Sequence, residues 1–265
     1  IKDVEQICKN SNIKPKTTIR VNRLKTTKEE LINRLEKEEI EYSNVNKEDN
    51  LAEDFLILNK VKNIENLDLF KEGFFTIQDI SAGLTAKILN PKQGENVLDA
   101  CSAPGGKTTY IAELMKNSGN IEAWDIHEHR TKLVEKNAQR LGIKIIDTYV
   151  KDATKYDETL NEKFDKILLD VPCLGIGVIK RKPDIKWQRK VEDIQEITES
   201  MQLSRKQRQK TDDRCERSSV CQSVSIDMFQ TKNIISNLTR KSNSKTTGKV
   251  GKTKGFRRFC RPCNR

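Results

Sequence analysis

The 265-residue chain predicts an α/β fold: a doubly wound, mostly parallel sheet preceded by a small α/β unit. Three observations predict it. From about residue 76 to residue 199, apolar strand-like runs alternate with helical segments at the spacing of right-handed crossovers. Ahead of them, residues 17–58 carry the same two patterns at shorter length. After residue 200 the alternation and the apolar content vanish together, so the sheet is expected to be incomplete.

Each element has a local reason. Residues 17–22 (Thr-Thr-Ile-Arg-Val-Asn) alternate as a short strand. Thr27 followed by Glu30 is a capping box, and Leu31, Ile32 and Leu35 give the helix it opens an apolar stripe. Residues 40–45 return as a strand, 46–54 form a polar linker, and 55–58 (Phe-Leu-Ile-Leu) are a strand again. Residues 80–89 read as a helix ended by Asn90-Pro91. The strand at 96–100 meets a Pro/Gly turn and a helix over 107–116. The strand at 120–126 is followed by a helix over 128–141, which Gly142 stops. Strands at 143–150 and 164–170 and a helix over 184–199 complete the series. The division read from this is 1–70, 71–200 and 201–265.

Charge separates the same regions. Of 50 Lys/Arg and 39 Asp/Glu, residues 201–265 hold 17 and 4, leaving 33 and 35 in residues 1–200. The basic excess therefore belongs to the last quarter. That segment is low in complexity and too poor in apolar residues to offset its ordering entropy. No apolar run approaches the ~20 residues of a membrane span, and no signal-peptide pattern opens the chain. Cys8, Cys101 and Cys173 are scattered through the body, as reduced thiols of a cytoplasmic protein are. The chain opens on Ile1 without an initiator Met, which reads as a fragment with an upstream part missing.

Ligands of open parallel sheets bind beyond the carboxyl ends of the strands. Those ends carry Asp99, Asp125, Asp152 and Asp170. Any one of them reads as a turn or cap residue; four in succession read as a site. The first turn is Cys101-Ser102-Ala103-Pro104-Gly105-Gly106-Lys107-Thr108. Its glycines permit close backbone approach before a helix amino terminus. A phosphate-binding Gly-x-x-x-x-Gly-Lys-Thr loop requires glycine at position 101, which is Cys, and the dinucleotide Gly-x-Gly-x-x-Gly pattern fails as well. Asp125 stands where a carboxylate accepts from ribose hydroxyls, and Asp152 is within reach of an adenine amino group. A nucleoside cofactor without a polyphosphate fits, and S-adenosyl-L-methionine leads.

The fourth strand runs into Asp170-Val171-Pro172-Cys173-Leu174-Gly175. A lone Cys is usually a small buried hydrophobe, but one after a proline in a Gly-rich turn beside the cofactor is also a candidate for reaction. Lys180, Arg181 and Lys182 are candidates for phosphates, and Trp187 for stacking on a base; the plainer reading is an exposed basic turn with Trp187 in the core. His127 and His129 read as exposed residues of a helix start.

Asp-Ala-Cys-Ser-Ala-Pro-Gly-Gly-Lys-Thr (99–108), Asp-Val-Pro-Cys (170–173) and Arg-Lys-Pro-Asp-Ile-Lys-Trp (181–187) together resemble the Sun-type RNA cytosine-C5 methyltransferases, and most closely the bacterial enzymes acting on small-subunit (16S) ribosomal RNA. Residues 70–79 (Phe-Lys-Glu-Gly-Phe-Phe-Thr-Ile-Gln-Asp) are similar to the start of that family's catalytic domain. The resemblance runs from about residue 17 to residue 199. It implies a methyltransferase-type sheet preceded by an RNA-recognition-like subdomain, with a further RNA-binding domain upstream of Ile1. It implies that residues 101–107 form the cofactor loop, that Asp125 holds the ribose and Asp152 the adenine, and that Asp170 sits between the methionine end and the target cytosine. Its partner is RNA, in a monomer, with no metal and no membrane.

In that family two cysteines share the work. The one in the Asp-x-Pro-Cys turn, here Cys173, assists release; the nucleophile lies on the next strand in a Ser/Thr-Cys motif after a Gly-Gly turn. No such motif is found after Glu199; Val220-Cys221 is the nearest imitation. Residues 201–265 are therefore expected to be a frame-shifted translation, lacking the fifth strand and the nucleophile. Other readings of the tail are a zinc site of Cys260 and Cys263 with Cys215 and Cys221, and a basic segment that binds nucleic acid without specificity. A catalytically inactive RNA-binding protein is the rival reading of the whole chain.

Overall fold

The computed structural model describes residues 4–13, 15–45, 52–155, 163–171, 174–175, 178–188, 190, 192–193, 195, 197–199 and 222–225. Their strands form two sheets.

The first sheet is antiparallel. A short helix, α1 (Val4–Ser11), precedes β1 (Thr17–Val21), α2 (Lys28–Lys37), β2 (Tyr42–Asn44) and β3 (Phe55–Leu58). A 3-10 turn (Ile64–Asn66) and α3 (Asp68–Lys71) lead to β4 (Phe75–Ile77). The strand order is β2-β3-β1-β4. The capping box at Thr27 is complete: the Thr27 hydroxyl accepts the Glu30 N–H at 3.2 Å, and Glu30 accepts the Thr27 N–H at 3.0 Å. Leu31 and Leu35 then pack with Ile19, Val21, Leu56, Leu58 and Phe75. Helix α1 and strand β4 are not among the predicted elements. Because β4 pairs with β1, the first sheet continues past the boundary read at residue 70.

The second sheet is parallel. After α4 (Ile80–Leu89) come β5 (Asn96–Asp99), α5 (Gly106–Leu114), β6 (Asn120–Asp125), α6 (Glu128–Leu141), β7 (Ile146–Val150) and β8 (Lys166–Leu169). Helix α7 (Ile185–Gln188) follows, and the described residues between 192 and 199 are helical too. The sheet does not end at the fourth strand, contrary to expectation. Residues Gln222–Ser225 form β9, parallel to β8 from Lys166↔Gln222 to Leu169↔Ser225, giving the order β7-β6-β5-β8-β9. Its four residues, Gln-Ser-Val-Ser, carry no apolar run that could have announced the strand from sequence. The rest of the tail, with its four cysteines, lies outside the described residues.

One core joins the sheets. Phe55 of β3 packs with Leu89, Val97, Ile111, Met115, Ile121 and Leu168, and stands edge-on to Tyr110 of α5 with ring centroids 6.0 Å apart. A Cβ on Gly83 of α4 would fall 2.3 Å from Phe55 Cζ, so glycine is what lets α4 lie on this ring.

Polar groups seal the rest of the junction. Arg20, on β1, is fully buried and donates to both oxygens of Glu113 on α5, at 2.7 and 3.2 Å. The Tyr110 hydroxyl donates to Asp54 at 2.7 Å, and Asp54 also pairs with Arg23 and Lys87. Asn22 donates to the carbonyls of Gly73 and Leu141. Arg140, near the end of α6, donates to the Phe70 and Phe75 carbonyls. At Gly73 (φ +76°) a Cβ would come within 2.0 Å of the Arg140 carbonyl oxygen.

Candidate functional site

The strand order reverses between β5 and β8: β6 and β7 lie on one side of β5, β8 and β9 on the other. The crevice of a doubly wound sheet opens at this switch point. Asp99 closes β5, and Asp170 directly follows β8. Lys107, in the first turn of α5, forms an ion pair with Asp170 across the switch point.

The turn from Ala100 to Gly105 is pinned from below. Ser102 is buried; its amide and hydroxyl both donate to the Trp124 carbonyl, at 2.8 and 2.9 Å. Thus Ser102 holds the loop on β6. Ala103 and Pro104 offer carbonyls to Arg130 (3.1 Å) and Asn137 (2.9 Å). Gly105 has φ +99°, and a Cβ there would lie 3.1 Å from Val134 Cα. Its glycine answers to backbone conformation and the packing of α6. At Gly106 a notional Cβ would lie 3.6 Å from the Gln78 side-chain nitrogen, an ordinary contact.

Asp99 is buried. One oxygen accepts the Thr108 hydroxyl at 2.7 Å. The other has no complete hydrogen bond, although the Cys101 amide lies close enough to oppose protonation. Burial dominates and raises its pKa to about 6. Cys101 is a free, half-buried thiol. Burial, and then the carboxylates of Asp99, Asp170 and Asp125, push it up to about 12. Such a thiol stays protonated at neutral pH and is not a nucleophile.

Asp125, at the end of β6, is buried; it accepts the His127 amide at 3.0 Å and pairs with Arg130 at 3.1 Å. Arg130 therefore ties the loop, α6 and the strand end together. The sequence reading missed it, although its place five residues after Asp125 in the first turn of α6 is a usable signal. Asp152 lies two residues past β7, where one oxygen accepts the Thr154 amide (2.9 Å) and hydroxyl (2.7 Å). These bonds hold its carboxyl below the usual range. His127 caps α6 and stacks with His129 at 5.5 Å, a helix start as read.

Further along the rim, Lys180, Arg181 and Lys182 are exposed, and Arg181 pairs with Asp79. Trp187 is 88% exposed, so the core reading of this residue does not hold. Pro172 and Cys173 lie outside the described residues. Among the described residues no three His, Cys, Asp or Glu are placed to hold a metal ion, and no helix is long and apolar enough to cross a membrane.

The donor set fits S-adenosylmethionine. Asp99, Asp125 and Asp170 stand at the ends of β5, β6 and β8 around the loop, and carboxylates so placed suit a cationic sulfonium and ammonium. Among the described residues no side chain caps α5, and the amides of such a helix amino terminus suit a carboxylate.

Strand order, switch-point crevice and carboxylate-lined rim together define a methyltransferase-type α/β protein. Comparison with known proteins makes this specific. Residues 86–209 match the family model of 16S rRNA methyltransferase RsmB/F, and residues 2–65 match the ferredoxin-like domain of RsmF/B-like methyltransferases. The chain belongs to this Sun-type family. It is 48% identical over 201 residues to the probable ribosomal RNA small subunit methyltransferase B of Bacillus subtilis (strain 168), covering 76% of this chain and 44% of that protein. Among solved structures, a methyltransferase homolog protein from Pyrococcus horikoshii is 30% identical, with a TM-score of 0.66 over 83% of this chain and 66% of that one. NSun6 from Pyrococcus horikoshii, solved with SFG, shares the fold at 21% identity and a TM-score of 0.71, covering 91% and 84%. The chain spans about half the length of the curated relatives it matches.

Proposed function

We propose that this chain is the cofactor-binding and RNA-facing part of an enzyme that methylates carbon 5 of a cytosine in small-subunit ribosomal RNA. The observation that carries the reading is the meeting of the 101–107 loop with Asp99, Asp125 and Asp170 at the switch point. The relatives' names support the RNA class.

Bound S-adenosylmethionine supplies an activated methyl group. Asp125 takes the ribose hydroxyls, with Arg130 holding its carboxylate in place. Asp152 spends one oxygen on Thr154 and offers the other to the adenine amino group. The backbone of residues 101–106 and the Lys107 ammonium face the methionine end. Asp170, which Lys107 anchors, would sit between that end and the base, as the family resemblance implies. Lys180, Arg181 and Lys182 take phosphates, and exposed Trp187 stacks on a base of an unpaired strand. Carbon 5 of cytosine is too weak a nucleophile by itself. A thiolate adding to carbon 6 makes carbon 5 electron-rich; once carbon 5 carries the methyl group, a base takes its proton and the thiolate leaves. The target must be single-stranded or flipped.

A second reading is favoured by the fifth strand. It reads Gln222-Ser223-Val224-Ser225, with no cysteine where the family resemblance expects the nucleophile. The chain then binds RNA without methylating it. One assay separates the two: transfer of a labelled methyl group to unmodified small-subunit RNA by this chain and by its Cys173→Ser variant. Labelled 5-methylcytosine, lost in the variant, supports methylation with Cys173 attacking. RNA retained on a filter without label supports the second reading.

A further inference from the structure

The guanidinium of Arg20 spends all its N–H groups on one helix and the residue facing it. Nε and Nη2 reach Glu113, Nη2 also reaches the Thr109 hydroxyl at 3.1 Å, and Nη1 reaches the Gly106 carbonyl at 2.9 Å and the Gln78 side-chain carbonyl. Its Cζ lies over the Tyr110 ring, 4.5 Å from the centroid. Neutralising a buried charge requires only Glu113. The remaining bonds run up α5 to its first residue, where the cofactor loop ends. Thr109 extends the chain: its hydroxyl accepts from Arg20 and donates to the Gly105 carbonyl at 2.8 Å. On that side of the turn the Gln78 amide stands 3.6 Å from where a Gly106 Cβ would be.

We propose that Arg20 is a positioning residue for the cofactor: it fixes the amino-terminal turn of α5, and through it the 101–107 loop, from the antiparallel sheet. The inference rests on the cofactor reading above. It means that the antiparallel sheet and the cofactor loop move as one piece, with the Arg20 guanidinium as the link that reaches the first residue of α5.

The test compares Arg20→Lys with Asn22→Ala in the full chain. A lysine keeps a charge beside Glu113 but has no fork to hold Gly106 and Gln78 at the same time. The Asn22 variant opens the same junction at Gly73 and Leu141, away from the loop. S-adenosylmethionine affinity is measured by calorimetry, melting temperature by scanning, and amide exchange by mass spectrometry. The expected result is about tenfold weaker binding in Arg20→Lys, against less than about twofold in Asn22→Ala, even where the second loses more melting temperature. Exchange should rise over residues 101–108 in the first variant alone. Affinity that follows melting temperature across both variants, or unchanged exchange over 101–108, overturns the proposal. If Arg20→Lys does not fold, Thr109→Val breaks the same relay and must give the same pattern. If the parent chain binds no S-adenosylmethionine, the cofactor reading falls, while the exchange result still decides the role of Arg20.

Discussion

The junction between the two sheets and the rim of the parallel sheet are built from the same residue types, yet they use them in opposite ways. At the junction, Arg20, Asn22, Asp54, Tyr110, Glu113 and Arg140 are spent on one another and on backbone carbonyls. At the rim, Asp152, Asp170, Lys107, Arg130 and Arg181 have one or two partners each among the described residues. Saturated polar groups fix geometry because removing any partner strands another in a dry place. Partly used groups at a crevice hold capacity for a ligand. Charge content alone therefore separates nothing here; the number of partners does.

The comparison breaks hardest at Glu113. Glu113→Ala strands the Arg20 charge in the core and should cost about 3–5 kcal/mol, read from urea denaturation. Asp99 belongs to the rim by position but to the junction by burial, and pH exposes this. Its folded pKa of about 6 exceeds the unfolded value of 3.8, so the folded state holds the proton more tightly. Stability contributed by the protonated form is present below the unfolded pKa and is lost as pH rises towards about 6. Asp99→Asn should remove up to about 3 kcal/mol of that pH dependence, seen as the difference between stability curves from pH 4 to pH 7. Gly73→Ala, which drives a Cβ onto the Arg140 carbonyl, should cost about 1–3 kcal/mol in the same denaturation experiment. The smallest effect on folding sharpens the contrast. Trp187→Ala should change stability by less than about 0.5 kcal/mol while weakening single-stranded RNA binding by about 1–3 kcal/mol. Equal losses in both measurements would place Trp187 with the junction.

The rim was legible in the sequence because its logic is local. A strand that ends in a carboxylate and turns into a helix is visible within ten residues, and four such turns in series pointed to one edge of one sheet. The Thr27 capping box was legible for the same reason. The junction was not. Alternation in Thr17–Val21 puts Ile19 and Val21 inside and Arg20 outside, yet both faces of β1 are covered, one by α2 and the other by α5. Nothing near Arg20 marks it, because Glu113 lies 93 residues away. Strand β4 was missed because three residues have no periodicity of their own; β1 makes it a strand. Ser102 belongs to the loop that the resemblance assigns to the cofactor, but that its buried hydroxyl holds the Trp124 carbonyl was not legible in the sequence.

That long separation also has a consequence in time. A chain made from its amino end presents β1 well before α5 exists, and at about 5–20 residues per second Arg20 waits about 5–20 s for Glu113 to be synthesised. During that interval the first sheet cannot close its second face over an unpaired guanidinium. The antiparallel sheet is therefore expected to remain loose on the ribosome and to tighten only when the helix bearing the cofactor loop arrives, so that the amino-terminal unit matures on the schedule of the parallel one.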